Sequence, residues 1–244
     1  MRTVLKLGGS VITVKDRPMT VDEGALGRAA RAVAASPELV IVHGGGSFGH
    51  HYAEQYGVSP SAGTTTAREI TAIHGAMQEL NGAVVERLQE SEVEAVPVAP
   101  LSMGWRDDAG SLSIASGPLA SMVSEGLVPV SHGDVVVNRG AGATILSGDE
   151  LVGAIAEQVD ADRIGICSDV PGVLDRDGEV IERVESYEAV DGLLGGSEST
   201  DVTGGMAGKV RQLLGRSTPA EIFDLDGLEQ FLAGDAPGTS IGLR

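Results

Sequence analysis

Only three lysines stand in the chain, Lys6, Lys15 and Lys209, against fourteen arginines. All three lie in or beside glycine-bearing segments, among them Lys6-Leu7-Gly8-Gly9-Ser10 and Gly204-Gly205-Met206-Ala207-Gly208-Lys209. An ammonium is a compact charge that suits a phosphate, and glycines let backbone N–H groups approach the same anion closely. The combination points to phosphate chemistry. A second run, His43-Gly44-Gly45-Gly46-Ser47-Phe48-Gly49-His50, carries three consecutive glycines. Such a run is tolerated where backbone must approach a ligand, or where a helix packs closely. His50, four residues on, could donate a hydrogen bond to a phosphate. Neither run has the Walker or the dinucleotide glycine spacing.

Two carboxylates stand at informative places. Asp149 follows Ser147-Gly148 in the first turn of an expected helix. It reads either as a helix-dipole carboxylate or as an organiser of catalytic lysines. Asp169 ends an apolar strand before Val170-Pro171-Gly172-Val173 and either contacts a nucleotide or caps a turn. Asp175-Arg176-Asp177-Gly178 lacks the full ligand spacing of a calcium loop and is expected to be a hairpin turn. The sequence has no G-x-S-x-G elbow, no H-E-x-x-H and no paired cysteines. The single Cys167, inside an apolar run, reads as core.

These residues need strand ends and helix starts to hold them. Thr3–Leu7 and Glu38–Val42 read as buried parallel strands, each running into glycines. Further strands are expected near 94–98, 127–130, 144–146, 163–167 and 220–223, with 134–137 pairing in a hairpin. Helices are expected near 21–35, 66–90, 147–156, 210–214 and 228–232. The 66–90 helix carries Ile70, Ile73, Met77 and Leu80, a stripe that is either plain core or the wall of an apolar pocket. The stretches 102–118 and 191–204 read as polar covers over a site. Alternating strands and helices give an α/β fold with its ligand at the strands' carboxyl ends.

The 244 residues are 42% hydrophobic, enough for a folded core. They hold 35 Asp and Glu against 17 Lys and Arg, a net charge of −18. This acid excess argues against nucleic acid or an anionic membrane as partner, and no apolar run is long enough to span a bilayer. An acidic, lysine-poor surface suits a salt-rich interior, and the lone cysteine suits a cytoplasmic enzyme.

Taken in order, the motifs resemble the amino acid kinase superfamily over nearly the whole chain. The matching segments are Lys6–Ser10, His43–His50, Ser147-Gly148-Asp149, Cys167–Val173 and Asp201–Met206 with Lys209. Within the superfamily the pattern resembles the isopentenyl phosphate kinases, which share the histidine at His50 and the lysine at Lys15. The resemblance implies a three-layer αβα sandwich around a mainly parallel central sheet. It implies one domain over 1–244, with an acceptor-phosphate lobe near 1–145 and a nucleotide lobe near 146–244. It implies ATP with Mg²⁺ carried on its phosphates, isopentenyl phosphate as acceptor, and a homodimer. Catalysis would fall to Lys6, Lys15, His50, Asp149 and Lys209. ATP would be bound by Lys6, Leu7, Gly8, Gly9, Ser10, Gly46, Asp169, Gly205 and Lys209, and the acceptor by Gly45, His50 and Gly148. Fosfomycin-type kinases, other small phosphate or phosphonate kinases, and a non-catalytic nucleotide binder are the alternatives.

Overall fold

A computed structural model describes residues 1–188, 190 and 205–242. The expected cover at 191–204 and the motif residues Asp201–Gly204 lie outside the described residues. The central strands are β1 (Thr3–Leu7), β2 (Leu39–His43), β3 (Ala95–Pro97), β6 (Val128–His132), β9 (Arg163–Ser168), β10 (Arg183–Val184), β11 (Ala220–Asp224) and β12 (Thr239–Ile241). They form one sheet in the order β10-β12-β11-β9-β1-β2-β6-β3. Every pairing in it is parallel except β11 with β12.

Alternation along the strands sends successive side chains to opposite faces. Leu5, Leu7, Leu39 and Ile41 pack on one face with α2 (Glu23–Val33) and α4 (Ala67–Gln89). Val4, Val40, Val42, Ile164 and Ile166 pack on the other with α6 (Gly117–Ser124), α7 (Gly148–Gln158) and α8 (Gly205–Leu214). The same parity decides where two polar strand residues point. Lys6 shares the face of Val4 and meets α7, while His43 shares the face of Ile41 and meets α4.

The hairpin expected of 134–137 is present, with β7 (Asp134–Asn138) pairing with β8 (Gly142–Leu146). The stretch 102–118 departs from the expected cover. It holds the end of α5 (Pro100–Met103) and the hairpin of β4 (Gly104–Arg106) and β5 (Leu112–Ile114), with β4 also running parallel to β7. These four strands make a second sheet, β5-β4-β7-β8. The buried guanidinium of Arg106 holds the segment down, and polar composition alone hid that anchor. Four helices also go beyond expectation: α5, α6, and α1 (Gly9–Ile12) and α3 (Gly46–Tyr56), the last two starting in glycine runs. Helix α8 begins five residues earlier than expected. The short helix expected near 228–232 is present as α9 (Leu228–Ala233), ahead of β12. The 175–178 segment is the expected turn, with Leu174 bridging Val180.

Candidate active site

β1 lies where the strand order turns, with β2 and β6 to one side and β9 and β11 to the other. In open α/β sheets ligands bind at the carboxyl end of the strands at such a point. Lys6-Leu7-Gly8-Gly9 stands there. The two glycine runs touch backbone to backbone. A Cβ on Gly44 would lie 2.6 Å from the Gly9 nitrogen, and one on Gly9 would overlap Gly46. Gly46 has φ +47°, a conformation that side chains resist, and its Cβ would stand 2.6 Å from the Gly9 carbonyl oxygen. Thr13 fastens the junction: its hydroxyl donates to the Gly9 carbonyl at 2.7 Å and accepts from the Ser47 amide at 3.0 Å. Thr13 and Ser47 carried no sequence expectation, since neither residue type stands out until the loops meet.

Lys6 Nζ pairs with Asp149 Oδ2 at 2.7 Å, with side chains only 6% and 10% exposed. Asp149 Oδ1 is buried without a hydrogen-bond partner. Removing one member of such a pair strands a buried charge, at a typical cost of about 3–5 kcal/mol. The Ser147 hydroxyl caps α7 by accepting from the Glu150 amide at 3.1 Å, and Asp149 stands in that first turn. Gly148 lies beneath it, where a Cβ would contact Lys6 Cε and the His43 carbonyl, both at 3.3 Å.

His43 supports the second loop from behind. Its Nδ1 donates to the Gly44 carbonyl at 3.1 Å, and its Nε2 meets the Asn81 side-chain amide at 3.1 Å. Burial pushes this imidazole down to about 4, so it is neutral at pH 7. His132, its register partner on β6, donates from Nδ1 to the Gly133 carbonyl at 3.0 Å. Burial, reinforced by the other imidazoles, pushes His132 down to about 3. Against them His74, on α4, hydrogen-bonds Asp134 at 2.7 Å, and that bond raises its pKa.

The other expected residues distribute as follows. Leu7 and Gly8 are buried, while Ser10 is exposed in α1. Gly45 caps α3, and His50 stands half-buried on that helix. Lys15 is exposed in the turn after Thr13. Asp169 is exposed at the end of β9, accepting from the Ser168 hydroxyl at 3.2 Å. Gly205 and Lys209 lie half-buried on α8, which packs against α7. The Ile70-to-Leu80 stripe divides. Met77 and Leu80 join the main core, with Met77 Sδ against Gly45 and Gly49. Ile70 and Ile73 join a separate apolar cluster with Val58, Val135 and Ala143. Cys167 is fully buried, and burial pushes its thiol up to about 12, so it behaves as core. Among the described residues no cluster of His, Cys, Asp and Glu is placed to hold a metal ion. Nor is any helix among them long and apolar enough to cross a membrane.

A family model, that of the amino acid kinase family, matches residues 1–216. The chain belongs to the amino acid kinase family. Among its relatives in that family is the isopentenyl phosphate kinase of Haloferax volcanii, 55% identical over 98% of this chain and 97% of the relative. The isopentenyl phosphate kinase of Methanocaldococcus jannaschii is 31% identical over 99% of this chain and 98% of the relative. A solved isopentenyl phosphate kinase structure superposes with a TM-score of 0.84 at 29% identity, covering 99% of this chain and all of the other. The amino acid kinase fold expected from the resemblance is therefore the fold observed.

Proposed function

We propose that the chain transfers the γ-phosphoryl group of ATP to isopentenyl phosphate, giving isopentenyl diphosphate and ADP. The observation that carries this reading is the buried Lys6–Asp149 pair beneath the joined glycine loops, in a chain 55% identical to an isopentenyl phosphate kinase. An acceptor oxygen attacks the γ-phosphorus while the bond from that phosphorus to the ADP oxygen breaks. A phosphate monoester has its second pKa near 6, so the attacking group is already largely dianionic at pH 7 and no general base is needed. The barrier is repulsion between anions, and positioning with charge neutralisation is what lowers it.

The proposed roles are those the resemblance implies. Lys6, with the amides from Gly8 to Ser10, holds ATP phosphates, and Lys209 and Gly205 approach the same nucleotide from α8. Lys15 stabilises the phosphoryl group in flight. His50 and the Gly45 and Gly148 amides hold the acceptor phosphate, and Gly46 lies between the two anions. Asp149 orients Lys6 through Oδ2, and its unpartnered Oδ1 is free for a second lysine. Asp169 contacts the nucleotide. Ile70 and Ile73, in their separate apolar cluster, are the proposed wall for the isopentenyl tail. Mg²⁺ keeps phosphate oxygens and water as ligands in such reactions, so ATP is its proposed carrier, where it supplies charge neutralisation. The acceptor side is proposed to span about 1–145 and the nucleotide side about 146–244. A homodimer working in a salt-rich cytoplasm completes the reading.

The test is ADP release with Mg-ATP in multimolar KCl, comparing isopentenyl phosphate, fosfomycin and uridine monophosphate. Turnover with isopentenyl phosphate, with the diphosphate confirmed by mass, is expected. Turnover only with another acceptor would overturn the substrate. ATP binding without any turnover would make the chain a nucleotide-binding protein on this fold.

A further inference from the structure

Helix α7 is gripped at its first turn from outside the proposed active site. Arg106, from β4, donates to Glu150 through both terminal nitrogens, Nη1 to Oε1 at 2.6 Å and Nη2 to Oε2 at 2.6 Å. The side chains are 8% and 26% exposed, and the two residues lie 44 positions apart. Arg106 Nη1 also faces the Gly110 carbonyl at 3.3 Å, across the turn of its own hairpin. That turn is itself fixed: Asp107 Oδ1 accepts from the amides of Ala109 and Ser111, both at 2.9 Å. The Arg106 carbonyl accepts from the Arg139 amide at 3.1 Å, beyond the end of β7. Arg106 is thus a rigidly mounted fork.

Glu150 is the neighbour of Asp149. Successive residues on a helix point about 100° apart. Asp149 therefore faces Lys6 while Glu150 faces the hairpin, and the aim of one is tied to the aim of the other. The Ser147 cap fixes where α7 starts along its axis. Leu151, Val152, Ile155 and Ala156 seat the helix on the core, and the grip on Glu150 adds a two-point polar restraint on the rotation of its first turn. A carboxylate about 5–6 Å from the axis moves about 1 Å for a 10° rotation, and a misplacement of that size can cost about a hundredfold in rate. The fork also carries an unrewarded cost, because Arg106 Nε is buried with no partner. Lysine offers one contact point where arginine offers two, so only arginine resists the rotation.

We propose that Arg106 is a positioning residue for phosphoryl transfer, its two-point grip on Glu150 fixing the rotation of α7 so that Asp149 stays aimed at Lys6. The proposal rests on the kinase reading for its kinetic arm alone. The pair is largely buried, so multimolar salt does not screen it away as it would a surface pair.

The experiment compares wild type with Arg106→Lys, Arg106→Gln and the double variant Arg106→Gln/Glu150→Gln, each in multimolar KCl. Three readouts are taken: melting temperature, hydrogen exchange of the α7 first-turn amides, and kcat and KM for isopentenyl phosphate and ATP. Arg106→Lys keeps the charge and loses the fork. It should lower kcat about tenfold or more with the ATP KM little changed, and speed exchange at α7 while the melting temperature moves little. The double variant restores a neutral hydrogen-bonded pair and should recover part of kcat over Arg106→Gln alone. Unchanged kcat and exchange in Arg106→Lys would overturn the proposal. So would a kcat loss that merely tracks the fraction unfolded and returns on cooling. Absence of wild-type turnover would sink the kinase reading, and the exchange arm would still decide whether Arg106 pins α7.

Discussion

Acid should dismantle the back of the site before it discharges the surface. His43 and His132 sit fully buried and neutral, pushed down to about 4 and about 3 from an ordinary 6.5. In the unfolded chain both rings take up a proton near pH 6.5, whereas in the folded chain they resist until far lower. The unfolded state then binds more protons, so stability falls as pH drops below 6.5. At pH 5 the gap is about 1.5 pH units for each ring, at about 1.36 kcal/mol per unit, or about 2 kcal/mol each. Their combined loss between pH 8 and pH 5 is about 4 kcal/mol, a large share of a typical domain's stability. His74 works in the opposite sense. Its hydrogen bond to Asp134 raises its pKa, so its contribution is fully present below 6.5 and fades as pH rises through the folded value. Asp134 and Glu221, raised by burial, also favour the folded state in acid.

A difference measurement cancels those opposing groups. Urea unfolding of wild type and His132→Phe, followed by circular dichroism at pH 8 and pH 5 in constant KCl, isolates one ring. His132 Nε2 has no partner to lose, so phenylalanine removes a single hydrogen bond, from Nδ1 to the Gly133 carbonyl. The acid-induced loss should be about 2 kcal/mol smaller in the variant. A difference below about 0.5 kcal/mol would refute the view that burial keeps this ring neutral.

Asp149→Asn should strand Lys6, cutting kcat by about a hundredfold or more and stability by about 3–5 kcal/mol, read from initial rates and urea midpoints. Gly46→Ala forces a side chain into a φ of +47° against Thr13, and should lower the melting temperature by roughly 4–8 °C for about 2 kcal/mol of strain. Lys15→Ala should lower kcat with little change in the ATP KM, and His50→Ala should chiefly raise the isopentenyl phosphate KM, with His50→Gln retaining part of the activity; steady-state kinetics in both substrates distinguish them. Raising KCl from 0.1 M to 1 M should increase kcat/KM, because the screening length falls from about 10 Å to about 3 Å and a chain of charge −18 repels both anionic substrates less; a steep fall would mean that exposed cations dominate capture.

Most of the strand skeleton was legible because parity and glycine punctuation are local properties. Thr3–Leu7, the β2 run and the capped start of α7 need only their own residues to declare themselves. The site's second tier was not legible, because its partners are distant. Asn81 serves His43 from 38 positions away and Arg106 serves Glu150 from 44. Helices α1 and α3 were missed for another reason: their glycine-rich starts have poor helix propensity, and contact between the two loops outweighs it. The hairpin at 104–114 was read as a cover because its polarity was visible and its buried arginine was not.

A chain of net charge −18 that gathers two polyanions needs local positive potential with few cationic side chains. Helices supply it from backbone. α3, α7 and α8 begin at Gly46, Gly148 and Gly205, each a residue the resemblance assigns to phosphate or acceptor contact. Helix N-termini carry roughly half a positive charge apiece, and they need no lysine. Glycine at a helix start leaves its amides open to an anion. Lysine is then required only where charge must be placed at a point beyond the reach of backbone, and Lys6, held in place by Asp149, is the clearest case. A surface can therefore turn acidic for salt tolerance while the interior of the site keeps its sign.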